Sequence, residues 1–123
     1  MEFSQPKGIY QQIADQIRDR ILANEWRGGE RVPSVRELAT TIGVNPNTVN
    51  KSYQALLDRG IIENQRGIGY FVAVDAKQKI LDEIRTAFVE DELPRVFRTM
   101  RMLGMRLEDL TEHYARSNGG AQQ

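Results

Sequence analysis

A short stretch of the chain carries amide, hydroxyl and amino side chains at spacings that suit contact with nucleic acid. Beyond Asn45, a helix predicted to begin at Pro46 has a polar side formed by Asn47, Thr48, Asn50, Lys51 and Gln54. Asn and Gln pair with adenine through two hydrogen bonds, Lys reaches guanine or a phosphate, and Thr suits thymine or a phosphate. The same residues also fit an ordinary solvated helix face. The stretch alone therefore leaves two interpretations open, sequence recognition and plain solvation.

Two capped helices with a tight turn between them position these side chains. Ser34 and Glu37 have the spacing of a capping box, which predicts where the first helix begins. Gly43 predicts its end, because glycine readily takes positive φ after a helix. Asn45 is predicted to cap the second helix, with Pro46 at its first position. Such a pair is typical of a helix-turn-helix, whose second helix lies in the major groove of DNA.

Two further elements are predicted around this pair. Before it, an apolar residue every fourth position predicts a buried helix from about Gly8 to Ala23, with Ile9, Ile13, Ile17 and Ile21 on one side. After Gly60, residues 61–62 and 70–74 have strand character and predict a hairpin. A hairpin in this place is the wing of a winged helix, and Arg66 beside Gly67 at its tip suits a minor groove. The alternative is a polar turn that only closes the hairpin.

The overall charge argues against strong non-specific binding to nucleic acid. Lys plus Arg equal Asp plus Glu at 17 each, and the pI is about 6.6. The basic excess of many nucleic-acid binders is therefore missing. Between residues 31 and 72 the excess is slight, with Arg31, Arg36, Lys51, Arg59 and Arg66 against Glu37, Asp58 and Glu63. If the chain binds DNA, its specificity should rest on base contacts and on two copies acting together.

Other chemistries find little support in the residues. There is no cysteine, which excludes disulfides, thiolate metal sites and a cysteine nucleophile. His113 is the single histidine, and no second histidine stands at metal-ligand spacing from it. The Gly67-x-Gly69 pair lies inside the predicted hairpin and opens no helix, so it does not predict a phosphate loop. We therefore expect no catalysis, no metal and no cofactor.

The sequence also indicates where the protein works. It shows no signal peptide and no apolar run long enough to cross a bilayer. The lack of cysteine fits a reducing compartment. We expect a cytoplasmic protein that has no membrane partner.

Residues 76–123 are predicted to form a helical dimerisation region after a DNA-binding domain at residues 1–75. One amphipathic stripe runs from Ile80 to Phe88, and a second runs from Leu93 to Leu103 after an acidic break at residues 90–92. Helices this short bury too little surface alone. We expect the same region of a second copy to cover them, through Ile80, Leu81, Ile84, Phe88, Val96, Phe97, Met100 and Leu103.

Several motifs between residues 8 and 74 carry a family resemblance. They are YQQI at 10–13, GERVPS at 29–34, RELA at 36–39, GVNPNTV at 43–49 and RGIGYFV at 66–72. Together they resemble the N-terminal domain of GntR-family transcription regulators. The NPNTV turn and the short C-terminal region are similar to the YtrA-like subfamily in particular.

The resemblance implies an α+β, mainly helical protein, with an N-terminal winged helix-turn-helix and a short helical dimerisation region. Such proteins bind inverted-repeat double-stranded DNA operators as homodimers, usually as repressors. The resemblance implies that Arg36 contacts phosphate or base. With the residues above, the full set expected to contact DNA is Ser34, Arg36, Asn45, Asn47, Thr48, Asn50, Lys51, Gln54, Arg66 and Gly67. Pro46 and Asn50 stand where many members carry basic residues, so operators of better-known members are not expected to transfer.

Two alternatives remain beside a sequence-specific regulator. A winged helix can serve as a protein–protein adaptor, which would place apolar residues on the outer face of the second helix. An architectural DNA binder would show little sequence preference. The polar face favours the regulator over the adaptor. The sequence does not identify a small-molecule effector, and residues 76–123 are too few for the separate effector domain of larger members.

Overall fold

The structure, a computed structural model, describes residues 8–118 of the chain. It divides into two compact units, with the boundary between Glu83 and Ile84. The described part is mainly helical with one small antiparallel sheet, which confirms the predicted fold class. The elements of the first unit are α1 (Ile9–Leu22), α2 (Val35–Ile42), α3 (Pro46–Asp58), β1 (Ile62–Gln65), β2 (Gly69–Val72) and the first turns of α4 (Ala76–Ala87).

The two helices of the predicted pair begin and end where their capping residues indicate. Ser34 Oγ accepts the Glu37 amide at 3.1 Å, and the Glu37 carboxylate accepts the Ser34 amide at 2.7 Å. Gly43 follows α2 with φ +72°. Asn45 Oδ1 accepts the Asn47 amide at 2.7 Å, and Pro46 opens α3. The predicted helix-turn-helix is confirmed, because both helices begin at their capping residues and Gly43 ends the first one.

The hairpin pairs Ile62 with Val72 and Gln65 with Gly69. Residues 29–32 lie along the other edge of β2, where the Val32 amide donates to the Tyr70 carbonyl at 2.9 Å. Arg31 pairs with Phe71 in a single antiparallel bridge just before α2. Strand β2 is therefore hydrogen-bonded to β1 on one edge and to residues 29–32 on the other. Both neighbours hold the wing in position.

One apolar core holds the first unit together. It takes three isoleucines from α1, the inner face of α3, both strands and the start of α4, and its largest fully buried members include Tyr53, Ile21, Leu56, Ile61, Ile62 and Ile80. The predicted buried stripe of α1 is confirmed by Ile13, Ile17 and Ile21, whereas Ile9 is exposed. The structure corrects the interface prediction for Ile80, whose side chain completes this core and so is not available to a second chain.

Tyr53 joins α3 to two other parts of this core. Its side chain is fully buried, and its hydroxyl donates to the Pro33 carbonyl at 2.7 Å, just ahead of α2. Its ring meets that of Tyr70 on β2 edge to face, with 5.2 Å between centroids. Burial raises the pKa of Tyr53, so the hydroxyl stays protonated and keeps donating.

The second unit contains the end of α4, a π-helical turn (Phe88–Glu92), α5 (Leu93–Leu103) and α6 (Leu107–Asn118). The sequence suggested a break at the acidic residues 90–92, but the chain stays helical there and forms this turn, in which the Leu93 amide donates to the Phe88 carbonyl five residues back. Pro94 explains the wider turn. It lacks an amide, and in an α-helix its ring would clash with the carbonyl four residues back. Gly104 ends α5 with φ +72°.

No residue between Ile84 and Ser117 is fully buried within the described chain. Large apolar side chains stay open to solvent across this unit, among them Ile84, Phe88, Val89, Val96, Phe97, Leu103 and Leu107. Leu81, just before the boundary, is also exposed. Because burial of apolar surface is what stabilises a folded unit, these helices have little to hold them by themselves.

The Tyr53 contacts predict the effect of removing one oxygen atom. In Tyr53→Phe the ring remains, but the Pro33 carbonyl loses its partner in a site that water reaches poorly. We expect the free energy of unfolding, measured by urea titration with circular dichroism, to fall by about 1–2 kcal/mol. Tyr114→Phe is the matched control, since that side chain is 67% exposed, and it should change stability by less than about 0.5 kcal/mol. Equal losses in both variants would contradict the assignment.

Candidate nucleic-acid interface

The outer face of α3 consists of hydrogen-bonding side chains. The inner face, formed by Val49, Ser52, Tyr53 and Leu56, is buried, which leaves Asn47, Asn50, Lys51 and Gln54 exposed and Thr48 half-buried. These are the residues that the sequence singled out, and the structure brings them together on one side of one helix. No large apolar side chain of α3 is among the exposed ones. The face therefore lacks what the adaptor alternative needs.

Buried hydrogen bonds fix how this face is turned. Ser52 is fully buried, and its hydroxyl lies 2.7 Å from the Tyr10 carbonyl on α1 and 3.2 Å from the Thr48 carbonyl. One residue on, Tyr53 bonds to Pro33. Two neighbouring side chains of α3 thus form hydrogen bonds to two other parts of the chain, α1 and the residue just ahead of α2. The outer face is presented in one orientation before any partner arrives.

Arg36 lies exposed in the first turn of α2, beside the capping box. Ser34 and Asn45 were predicted to contact DNA, and the structure shows their side-chain oxygens accepting backbone amides as helix caps. Their described role is to position the neighbouring residues. The Ser34 amide, and then the Ser34 hydroxyl, hold the pKa of Glu37 below its usual value.

The wing tip presents an arginine on a glycine-dependent turn. The Ile68 amide donates to the Gln65 carbonyl at 2.9 Å, and Gly67 inside this turn has φ +78°. No atom lies within 4 Å of the place a Cβ would take at Gly67, so the conformation alone requires glycine. Arg66 is exposed. The predicted tip is confirmed as a turn that holds an arginine out toward solvent.

Two residues at this surface were missed by the sequence analysis as site residues. The Arg31 guanidinium lies over Gly69, where an added Cβ would come within 3.0 Å of Arg31 Nε. The Tyr10 ring lies beside Lys51. Arg31 could have been found from the sequence. If residues 31–32 had been paired with the predicted hairpin, Arg31 would have been placed on the wing. Tyr10 had none beyond its place in the YQQI motif.

The charges of the first unit are distributed unevenly, although the chain is neutral. Away from the face, most arginines and lysines of this unit are paired with carboxylates, namely Arg18 with Asp15 and Asp19, Arg20 with Glu25, Arg59 with Glu83 and Lys79 with Asp75. Within residues 8–118, Arg36, Lys51 and Arg66 take part in no such pair. The candidate interface therefore carries positive charge that its surroundings do not cancel.

A capped helix pair with a buried inner face, a polar outer face and a following hairpin defines a winged helix-turn-helix, a class of DNA-binding domains. The gntR family of bacterial regulatory proteins matches residues 9–72, more than half of the chain. The chain belongs to the GntR family, and it is a DNA-binding transcription regulator. In the described part, no helix combines the length and the apolar character needed to cross a membrane.

Relatives support the assignment over most of the chain. It is 39% identical to the uncharacterized HTH-type transcriptional regulator YhcF of Bacillus subtilis, over 90% of each chain. It is 38% identical to the HTH-type transcriptional repressor YtrA of the same organism, over 85% of this chain and 79% of YtrA. These similarities include the YtrA-like regulators to which the short C-terminal region pointed.

Solved structures extend the similarity to the fold. A chain described as a GntR-family transcriptional regulator from Bacteroides thetaiotaomicron is 37% identical, with a TM-score of 0.82, over 94% of this chain and 100% of that one. The DNA-binding domain of AraR, solved in complex with operator ORR3, is 26% identical with a TM-score of 0.50, over 59% of this chain and 95% of that one.

The cap between Ser34 and Glu37 predicts a pH dependence of stability. The folded-state pKa of Glu37 lies below its unfolded value of 4.5, so its contribution is present above that value and is lost as the pH falls through the folded-state pKa. Glu37→Gln keeps an acceptor for the Ser34 amide but does not titrate. We expect urea midpoints to fall more for the wild type than for Glu37→Gln between about pH 6 and pH 3. Parallel losses would show that the cap does not contribute.

Proposed function

We propose that this protein is a sequence-specific repressor that binds an inverted-repeat operator as a homodimer. Residues 1–75 bind the DNA, and residues 76–123 serve the pairing of two chains. The observation that carries the proposal is the outer face of α3, where every exposed side chain beyond the first turn is polar, next to cations that no described carboxylate pairs.

Each element suits one kind of contact with the duplex. The amides of Asn47 and Asn50, near the start of α3, match the donor and acceptor pattern of adenine in the major groove. Arg36 suits a phosphate or a base, and Arg66 suits a minor groove, whose negative potential attracts arginine. The operator complex of the similar AraR domain and the repressor name of YtrA agree with this use of the fold.

Exposed apolar side chains of the second unit, and Leu81 just before it, support the homodimer. Leu81, Ile84, Phe88, Val96, Phe97 and Leu103 remain exposed, and Met100 is half-buried. A second copy offers the same surface, and a two-fold axis lets each chain cover the other. Two-fold symmetry in the protein is matched by inverted repeats in the DNA, with half-sites a helical turn or a multiple of it apart. The proposed interface comprises these residues without Ile80.

Neutral net charge favours this function over architectural binding. An architectural protein depends on many phosphate contacts, each of which needs a cation. Here most described cations of the first unit away from the face are paired with carboxylates. Base contacts must then supply much of the preference for one site, and paired domains must supply the affinity.

Binding to a labelled duplex from upstream of the protein's own gene, against a shuffled duplex, tests the DNA contacts. We expect a preference of at least about a thousandfold for the upstream duplex. Asn50→Ala should remove most of that preference, because two hydrogen bonds to a base edge are lost in each half-site. Gln16→Ala is the matched amide control, since Gln16 is exposed on α1, and it should bind as the wild type does.

The Arg66→Ala variant is measured beside Asn50→Ala, because a different effect on the two duplexes is expected. Its contact is expected to depend little on sequence, so it should weaken binding to both duplexes. Equal binding of the wild type to both duplexes, repeated in a random-sequence selection, would favour the architectural binder. Absence of binding to either duplex at low salt would favour the adaptor.

Sedimentation of the wild type and of Phe97→Asp tests the homodimer. We expect a dimeric wild type at micromolar concentration. Phe97→Asp should weaken association at least about tenfold, because a carboxylate would be buried in an apolar interface. Val74→Asp is the matched control, since Val74 is 85% exposed in the first unit, and it should leave the mass unchanged. A monomeric wild type, or a fully dimeric Phe97→Asp, would refute the proposed interface.

A further inference from the structure

One aromatic ring of α1 lies against the outer face of α3. The Nζ atom of Lys51 is 5.6 Å from the centroid of the Tyr10 ring, within the range of a cation–π contact. The backbone of Tyr10 is itself fixed, because its carbonyl lies 2.7 Å from the buried Ser52 hydroxyl. The residue that carries the ring is therefore bonded directly to α3, and the ring lies at the edge of the outer face of that helix.

No acidic neighbour competes with the ring for Lys51. The residues three and four positions away on α3 are Asn47, Thr48, Gln54 and Ala55, none of which is charged. Within residues 8–118, Lys51 forms no ion pair. Asp58 lines the same open groove of about 270 Å³ as Tyr10 and Lys51, but it forms no ion pair with Lys51 in the described chain. The ring is therefore the described contact that restrains the ammonium group.

A ring contact orders a lysine without neutralising it. The face of an aromatic ring attracts the ammonium through its quadrupole, and the positive charge remains. The ammonium has three N–H donors, so those that do not face the ring stay available to an anion. Ordering the side chain before binding also lowers the entropy cost of the contact.

The position of Lys51 along α3 indicates which anion it meets. Base edges are contacted by the N-terminal residues of a recognition helix. Asn47, Thr48 and Asn50 all precede Lys51 in the helix, and Tyr10 draws its side chain toward α1. Phosphates are the groups of DNA that position a protein on the duplex and carry its negative charge.

We propose that Tyr10 is a positioning residue that holds the Lys51 ammonium ready for a phosphate of the DNA backbone. The proposal rests on the DNA-binding function proposed above, and it assigns Lys51 to backbone contact where the sequence left guanine and phosphate open. Because a phosphate contact carries no sequence information, its loss weakens binding to any duplex.

A double-mutant cycle tests the assignment on the upstream and shuffled duplexes across a series of salt concentrations. Lys51→Met should weaken binding to both, and the slope of log affinity against log salt should fall by about 0.9 for each subunit bound. Tyr10→Leu should weaken binding about two- to fivefold in the wild-type background. It should have no effect in the Lys51→Met background, because the cation that it positions is gone.

Two control variants separate positioning from general stability. Tyr10→Phe retains the ring and should restore wild-type affinity and salt slope. Lys77→Met removes a lysine that contacts Asn24, just past the end of α1 away from Tyr10, and should leave the salt slope unchanged. Thermal unfolding of every variant is measured alongside, since none of these effects should follow the melting temperature.

The contrary results are distinct. Equal weakening by Tyr10→Leu in both backgrounds would overturn the assignment, because that is what a purely structural role predicts. An effect of Lys51→Met on the upstream duplex alone would also overturn it, since Lys51 would then read a base. If the wild type binds neither duplex at low salt, the proposed function fails and this inference fails with it. If the wild type binds and the cycle is additive, only the inference fails.

Discussion

The hydrogen bond from the buried Tyr53 hydroxyl to the Pro33 carbonyl sets the orientation on which the rest of this surface depends. Apolar burial has no direction, so the stripe of Val49 and Leu56 alone would tolerate small rotations of α3 about its axis. A buried hydroxyl tolerates less, because leaving it or its acceptor without a partner is costly. Each residue of an α-helix turns the face by about 100°. Fixing the direction of Tyr53 therefore fixes the direction of every other side chain of α3, including those of the exposed face.

The local features of the site could be predicted from the sequence, because each is encoded within a few residues. Ser34 with Glu37, and Asn45 with Pro46, specify helix ends by their own hydrogen bonds and dihedral preferences, and the structure confirms both. The polar face of α3 follows from helical spacing once its start is known. The glycines near residue 67 mark a tight turn for the same reason, since positive φ is a property of the single residue.

Features that depend on packing between distant segments could not be predicted in this way. Ile80 has the spacing of an interface residue, and only the folded chain shows that it completes the core of the first unit. The acidic residues 90–92 suggested a break, whereas a π-helical turn lets the backbone accommodate Pro94 while staying helical. Tyr10 and Lys51 are far apart in sequence, and neither their residue types nor their spacing predicts the contact between them.

The neutral charge of the chain and its DNA-binding family are reconciled by where the charges are paired. Described ion pairs such as Arg18 with Asp15 and Arg59 with Glu83 cancel charge away from the recognition face. Arg36, Lys51 and Arg66 lie on three different elements, and none of them has a carboxylate partner in the described chain. A few unpaired cations can supply orientation on the duplex without the strong non-specific affinity of a basic surface. With Asn50 where many family members carry a basic residue, the proposed function assigns discrimination between DNA sites to amide side chains, whose orientation Tyr53 maintains.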